Sequence, residues 1–241
     1  MKITLMVLTA IVGSCLLAGE LHAGWADKFK ELLKPATQTS LGATKIGQGL
    51  KEALSIGIDR AVAEAGKKDG YAANPAIRIK LPDSLASVSG MMRKVGMGPS
   101  LDAFEANVNR AAEQAAPASK KILLDALFAM NIEDAQKLLK GGETAATDYF
   151  KAKTREPLYQ AFLPKMQEAM SSYSVAQKYN QLATAYAGLP VPSKPKLESA
   201  DTYATNKALD GLFYLVAQQE KKIRTDPAAR VTELLKTVFA S

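Results

Sequence analysis

The residue types that support the commonest enzyme chemistries are confined to the start of the chain, where Cys15 is the only cysteine and His22 the only histidine. The rest of the sequence therefore offers no thiolate nucleophile, no imidazole base, no Ser-His-Asp triad and no zinc site built from Cys and His. Carboxylate, lysine and tyrosine chemistry remains, as does the binding of Mg²⁺ or Ca²⁺ by carboxylates. We accordingly assign no catalytic residue, no metal and no cofactor from the sequence.

A first candidate binding group consists of Asn109, Arg110 and Glu113, which lie away from the apolar stripe of their predicted helix. Arg110 and Glu113 are three residues apart and Asn109 and Glu113 four apart, so they share one helical face. One interpretation is an ion pair on the surface, worth roughly a few tenths of a kcal/mol. The other is that a further helix or loop covers this face, so that the trio forms a polar network lining a groove.

A second candidate lies where the segment from Gly141 to Asp148 joins two predicted helices. The free amides at the start of the second helix, near Thr147 and Asp148, could bind a phosphate or a carboxylate. Glu143 and Asp148 would repel such an anion at close range. Local capping of the helix, with Thr144 as the N-cap residue, explains the same residues without a ligand.

A third candidate is a basic corner near the C-terminus, formed by Lys221, Lys222, Arg224 and Arg230. These cations flank the pair Asp226–Pro227, which is typical of a helix start. One interpretation is a solvated turn. The other is a patch that contacts an anionic head group or an acidic partner, in keeping with the formal charge of +7 for the whole chain.

The first 23 residues have the pattern of a signal peptide, because Lys2 precedes an apolar run from Ile3 to Leu17 that is too short to span a membrane. The small residue Ala23 predicts cleavage before Gly24 and a periplasmic location. The alternative is a lipoprotein anchored at Cys15, since the preceding residues resemble a lipobox. Export also argues against a nucleic-acid partner, in spite of the basic charge.

Apolar residues recur every three or four positions through most of the remaining chain, which predicts an all-α, single-domain helical bundle over residues 24–241. Gly57 interrupts the stripe of the first long helix, so we expect another helix to pack closely there. Pro164 predicts an interruption of a later helix. Only near residues 74–82, where Ile77, Ile79 and Leu81 alternate with other residues, do we expect one short extended or hairpin segment.

Three strings in the sequence resemble an exported bacterial family, the domain of unknown function 4197. One is ALSIGIDRAV from Ala53, a second begins with NRAAEQAAP at Asn109 and continues to GGETAATDYF, and the third is ALDGLFYLVAQQEKKIRTDPAARVTELLKTVF from Ala208. Together they span nearly all of the chain after the signal peptide. The resemblance implies a signal sequence and one domain of this length, and it brings no substrate, cofactor or catalytic residue.

These exclusions favour a non-enzymatic periplasmic or envelope-associated binding or interaction module. Such a module would hold a small ligand between its helices, or dock on an anionic envelope component with peripheral membrane contact. One alternative is a hydrolase or lyase that uses carboxylates such as Glu113, Asp125 and Asp148, which would then have to share one pocket. A second alternative is a partner-dependent structural protein of the envelope, which a large exposed apolar patch would favour.

Overall fold

Helices make up most of the chain. The computed structural model describes residues 41–172, 174–190 and 197–225 and contains no β-strand in these ranges, which confirms the all-α fold. The predicted signal peptide, Arg230 and the segment predicted to form a last helix from Pro227 lie outside the described residues. The helices are α1 (Leu41–Gly66), α2 (Asp83–Ala86), α3 (Ser89–Lys94), α4 (Gly98–Ala115), α5 (Ser119–Ala129), α6 (Ile132–Leu139), α7 (Ala145–Ser172), α8 (Val175–Gly188) and α9 (Ala200–Thr225), with a 3₁₀ turn at Ala116–Ala118.

Helix α4 contributes much of the core, because it contacts α7, α8 and α9. Its apolar stripe, which includes Leu101, Phe104, Val108 and Ala112, is buried as the sequence pattern predicts. Complete burial of a large apolar side chain stabilises the fold by roughly 1.5–3 kcal/mol. None of the helices in the described ranges is long and apolar enough to serve as a membrane span.

Gly57 in α1 is the close contact point that the sequence predicted. A Cβ atom placed on this residue would lie 3.3 Å from Cβ of Gln219 and 3.3 Å from Cδ1 of Ile223, both in α9. The missing side chain therefore lets α1 approach α9 closely. A glycine inside a helix destabilises it by roughly 1 kcal/mol relative to alanine, and the close packing of α1 against α9 offsets this cost.

The predicted interruption at Pro164 is wrong, because α7 continues through both Pro157 and Pro164. Each proline deprives one carbonyl, on Lys153 or Gln160, of its helical amide partner. All four residues have exposed side chains, so this side of the helix faces water. The opposite side buries large residues such as Phe162, and that packing holds the helix together.

Of the segment predicted near residues 74–82, residues 75–77 instead form a turn, in which the amides of Ile77 and Arg78 bond to the carbonyl of Asn74, and residues 78–82 are extended without a hairpin. The backbone of Ile79 and the amide of Leu81, two residues on, both bond to side chains of α4. This alternation is the signature of an extended chain. The segment therefore crosses the bundle as a single strand-like piece, which is held by side chains and not by a sheet.

Candidate functional site

Two polar side chains of α4 hold the extended segment in place. Asn109 accepts a hydrogen bond from the amide of Ile79 at 2.8 Å and donates one to its carbonyl at 2.8 Å. Four residues earlier, Glu105 accepts from the amide of Leu81 at 3.0 Å. Asn109 thus satisfies both backbone groups of Ile79 as a neighbouring β-strand would.

Glu113 continues this row by one further helical turn. Its Oε1 accepts hydrogen bonds from the amides of Tyr71 and Ala72, both at 3.2 Å. Its Oε2 lies 3.2 Å from Arg110, which also pairs with Asp69 at 3.2 Å. Of the two interpretations for this trio, the covered face is the one present, and Asn109 and Glu113 are buried. A role in ligand binding stays a prediction, and the polar atoms of both residues already bond within the protein.

The start of α7 does hold a carboxylate, and that carboxylate belongs to the protein itself. Glu220 in α9 accepts hydrogen bonds from the amides of Ala146 and Thr147, at 2.9 and 2.8 Å, and from the Thr147 hydroxyl at 2.7 Å. Thr144 donates its hydroxyl to Asp148. The cap of α7 is thus supplied by a distant residue, in place of the local capping that the sequence suggested.

The basic corner is largely neutralised in the structure. Arg224 donates to the buried Glu220 through two nitrogens, at 3.0 and 2.8 Å, and to the carbonyls at the end of α6. Lys221 lies 3.2 Å from Glu143. Of the three described cations only Lys222 has an exposed side chain without an acidic partner. Arg224 is therefore a structural residue that links α6, α7 and α9.

The carboxylates named for a hydrolase or lyase bind different partners. Glu113 is buried beneath Tyr71, Asp125 pairs with Lys121 at 2.5 Å, and Asp148 is exposed at the start of α7. Over residues 41–172, 174–190 and 197–225 no three Cys, His, Asp or Glu side chains group in a way that could hold a metal ion. The shared pocket that this alternative requires is not among the described grooves.

A groove along α9 brings together residues that the sequence did not single out. One wall consists of residues 76–81, which include most of the extended segment, together with Asp83. The other wall is α9, with Tyr203, Lys207, Asp210, Gly211 and Tyr214. We call it the α9 groove. Its volume of about 360 Å³ is at the lower end of the range for ligand pockets. The Tyr203 hydroxyl donates to the carbonyl of Lys80 at 3.0 Å and joins the two walls.

Some of the charged side chains that line the α9 groove form ion pairs, and others do not. Asp210 pairs with Arg155 at 2.7 Å, and Arg78 pairs with Glu105 at 3.1 Å. Lys80 and Lys207 have exposed side chains with no acidic partner in the described part of the chain, and Lys207 lies 5.8 Å from the centre of the Tyr203 ring.

The tyrosines add an aromatic surface to these cations. Burial, followed by the negative charges of Asp83 and Glu105, raises the pKa of Tyr203 to about 12. Its phenol therefore remains a hydrogen-bond donor at neutral pH. Tyr214 is 42% exposed and offers an open ring two helical turns beyond Lys207 on the same face of α9.

Comparison with known protein families gives a match over nearly the whole chain after residue 39. The model of a protein family described as "Protein of unknown function (DUF4197)" matches residues 40–240. The chain belongs to this family. Neither the curated proteins nor the solved structures include a match to the chain. The family resemblance of the sequence is thereby confirmed over the entire described region.

The pattern behind the α9 groove is present in the sequence of this DUF4197 member. Tyr203, Lys207, Gly211 and Tyr214 follow at intervals of four, four and three residues, so they lie on one helical face. The apolar residues of the same helix predict its buried face, which lies opposite this row. Which surface this row would meet depends on where residues 78–82 cross, and periodicity does not encode that position.

Lys51 is another residue that the sequence pattern did not identify. It is buried in α1 and donates to the carbonyls of Phe128 and Met130, at 3.2 and 2.5 Å, where α5 ends. Desolvation lowers the pKa of this amine. A cation at the C-terminal end of a helix is stabilised by the helix dipole, so we interpret Lys51 as a cap for α5.

Proposed function

We propose that this DUF4197 protein is an exported, non-enzymatic binding module that holds an anionic envelope partner in the α9 groove. The observation that carries the proposal is the row of Tyr203, Lys207 and Tyr214 beside Lys80, in which neither lysine has an acidic partner among the residues that the structure describes. The other polar clusters considered above bond mainly within the fold. Exposed aromatic rings next to free cations are typical of interaction surfaces.

Other depressions support binding less well. The one between α7 and α9, near Lys151 and Arg155, is more open, and its arginine already pairs with Asp210. The one between α4 and α8 is lined by neutral side chains and offers no charge for recognition. The α9 groove combines walls on two sides with unpaired charge, so we place the partner there.

Site-specific photo-crosslinking in cells tests this proposal. A photoreactive phenylalanine analogue is introduced in place of Tyr214, and irradiated cells are compared with cells that carry the analogue in place of Lys178 on α8, which is partly exposed and lines none of the described grooves. We expect a defined crosslinked species from position 214 and none from position 178. Lys207→Glu in the 214 background should weaken that species, because it reverses one of the two free charges.

Equal labelling from both positions, or none from position 214, would contradict a partner in the α9 groove.

The exported state is tested separately by N-terminal sequencing of the mature protein, which we expect to begin at Gly24. A lipidated start at Cys15 would contradict the predicted cleavage and would anchor the protein in a membrane.

A further inference from the structure

The open edge of the extended segment indicates what kind of partner the α9 groove takes. We infer that the partner binds as an extended acidic peptide segment, which adds as a strand to residues 78–80. This inference rests on the proposed function of the α9 groove. It specifies the chemistry of the occupant, and it can fail while the groove remains a binding site.

The backbone of residues 78–80 has one occupied edge and one partly free edge. Ile79 directs its amide and carbonyl to Asn109 in α4. In an extended chain the backbone groups of the flanking residues point to the opposite side, here the α9 groove. The amide of Arg78 donates to the carbonyl of Asn74 at 2.8 Å, in the turn that precedes the extended residues, and on the groove side the carbonyl of Lys80 accepts from Tyr203.

Two backbone groups are left on the groove side, the amide of Lys80 and the carbonyl of Arg78. Neither has a hydrogen-bond partner within residues 41–172, 174–190 and 197–225. An unpaired amide and carbonyl on an exposed extended edge form a template for another strand. An added peptide can satisfy both groups, which is the basis of strand addition in peptide recognition.

The dimensions of the α9 groove suit an extended peptide. Lys80 meets Tyr203, and Ile77 lies beside Gly211, so the segment runs antiparallel to α9. The eleven residue-to-residue steps from Tyr203 to Tyr214 span about 16 Å at roughly 1.5 Å per helical residue. About five residues of an extended peptide cover the same length at roughly 3.3 Å per residue.

Charge sets the composition of that peptide. Lys80 and Lys207 attract carboxylates, whereas Asp83, at the end of the groove, pairs with no cation of the described ranges and repels them. Acidic residues of the peptide should therefore lie toward Lys207. The exposed ring of Tyr214 provides a contact for an apolar or aromatic side chain.

Selection from a phage library of random linear peptides tests the inference on the mature protein. The binding of selected peptides is then measured for the parent and for two variants, Lys80→Gln and Lys80→Pro. Both variants remove the lysine charge, and only proline also removes the amide donor. Since that amide bonds to nothing in the fold, Lys80→Pro costs no internal hydrogen bond, and circular dichroism verifies its folding.

We expect selected peptides to be rich in Asp and Glu. Lys80→Gln should weaken their binding, and Lys80→Pro should weaken it about two- to tenfold further, the value of one hydrogen bond. Methylation of alternate peptide nitrogens should abolish binding in one register and spare it in the other.

Equal binding to Lys80→Gln and Lys80→Pro would overturn strand addition, and so would the absence of any selected peptide. Binding of an acidic glycan in place of peptides, detected with oligosaccharide fragments of the envelope, would overturn it as well. If crosslinking from position 214 persists in any of these cases, the α9 groove is still a binding site and only the peptide inference fails.

Discussion

Replacement of Glu220 by alanine should destabilise the protein strongly, because this carboxylate joins α9 to the start of α7 and pairs with Arg224, which binds the end of α6. It accepts hydrogen bonds from the amides of Ala146 and Thr147, from the Thr147 hydroxyl and from two nitrogens of Arg224. The carboxylate is 2% exposed and the arginine side chain 12%, so solvent screens the pair little. The variant removes the carboxylate with which this guanidinium pairs and leaves the first turn of α7 without its cap.

Removal of one partner from a buried ion pair costs about 3–5 kcal/mol. For a domain of this size one kcal/mol corresponds to roughly 2–4 °C in Tm. The expected decrease in Tm is therefore roughly 6–20 °C for Glu220→Ala. Glu220→Gln should fall between this variant and the parent, because an amide retains one acceptor oxygen while losing the charge.

Thermal and urea unfolding, followed by circular dichroism, measure this effect. Arg224→Ala and the double variant complete a mutant cycle, in which the two losses should be clearly less than additive. Lys222→Ala is the matched control, since its exposed side chain should change stability by less than about 0.5 kcal/mol. A Glu220→Ala protein as stable as Lys222→Ala would refute the reasoning that this network holds the three helices together.

Further expectations concern the extended segment and the tyrosines. Asn109→Leu should cost about 2–4 kcal/mol, because it leaves both backbone groups of Ile79 without partners, and hydrogen exchange of the Ile79 amide should accelerate. Gly211→Ala should cost about 1–3 kcal/mol in urea unfolding, because the new Cβ would lie 2.7 Å from Cε1 of Tyr71. Tyr203 should ionise only near pH 12 in an ultraviolet titration, since burial raises its pKa. Unfolded tyrosine ionises near pH 10, so stability should fall as the pH rises from about 10 to about 12.

Each of these expectations has a direct control. Gly90→Ala in α3 introduces a Cβ with no heavy atom within 4 Å, and should be neutral or slightly stabilising. Tyr203→Phe should remove one phenol from the late phase of the titration, which Tyr71 shares because burial also raises its pKa, and an unchanged late phase would assign it to other tyrosines. Unchanged exchange at Ile79 in Asn109→Leu would show that the segment is held by other contacts.

The sequence predicts what depends on periodicity and on local chemistry. The buried stripe of α4, the close contact at Gly57 and the position of the non-helical segment all follow from spacing along the chain. Pro164 was misjudged because a local rule about one amide was applied without the packing on the other side of α7. The partner of the α7 amides could not be predicted, since Glu220 lies in a helix that is distant in sequence and only the tertiary fold brings it there.

The cap that Glu220 provides also affects the order in which the protein can fold. The residues it joins are 73 and 74 positions apart, and Arg224 reaches the end of α6 across 85 and 86 positions. During synthesis the junction between α6 and α7 is made long before α9, so it has no partner until the chain is nearly complete. Contacts of such long range slow folding. A chain truncated before residue 220 would expose this junction to proteolysis, which makes the intact C-terminal part of α9 a requirement for a stable domain.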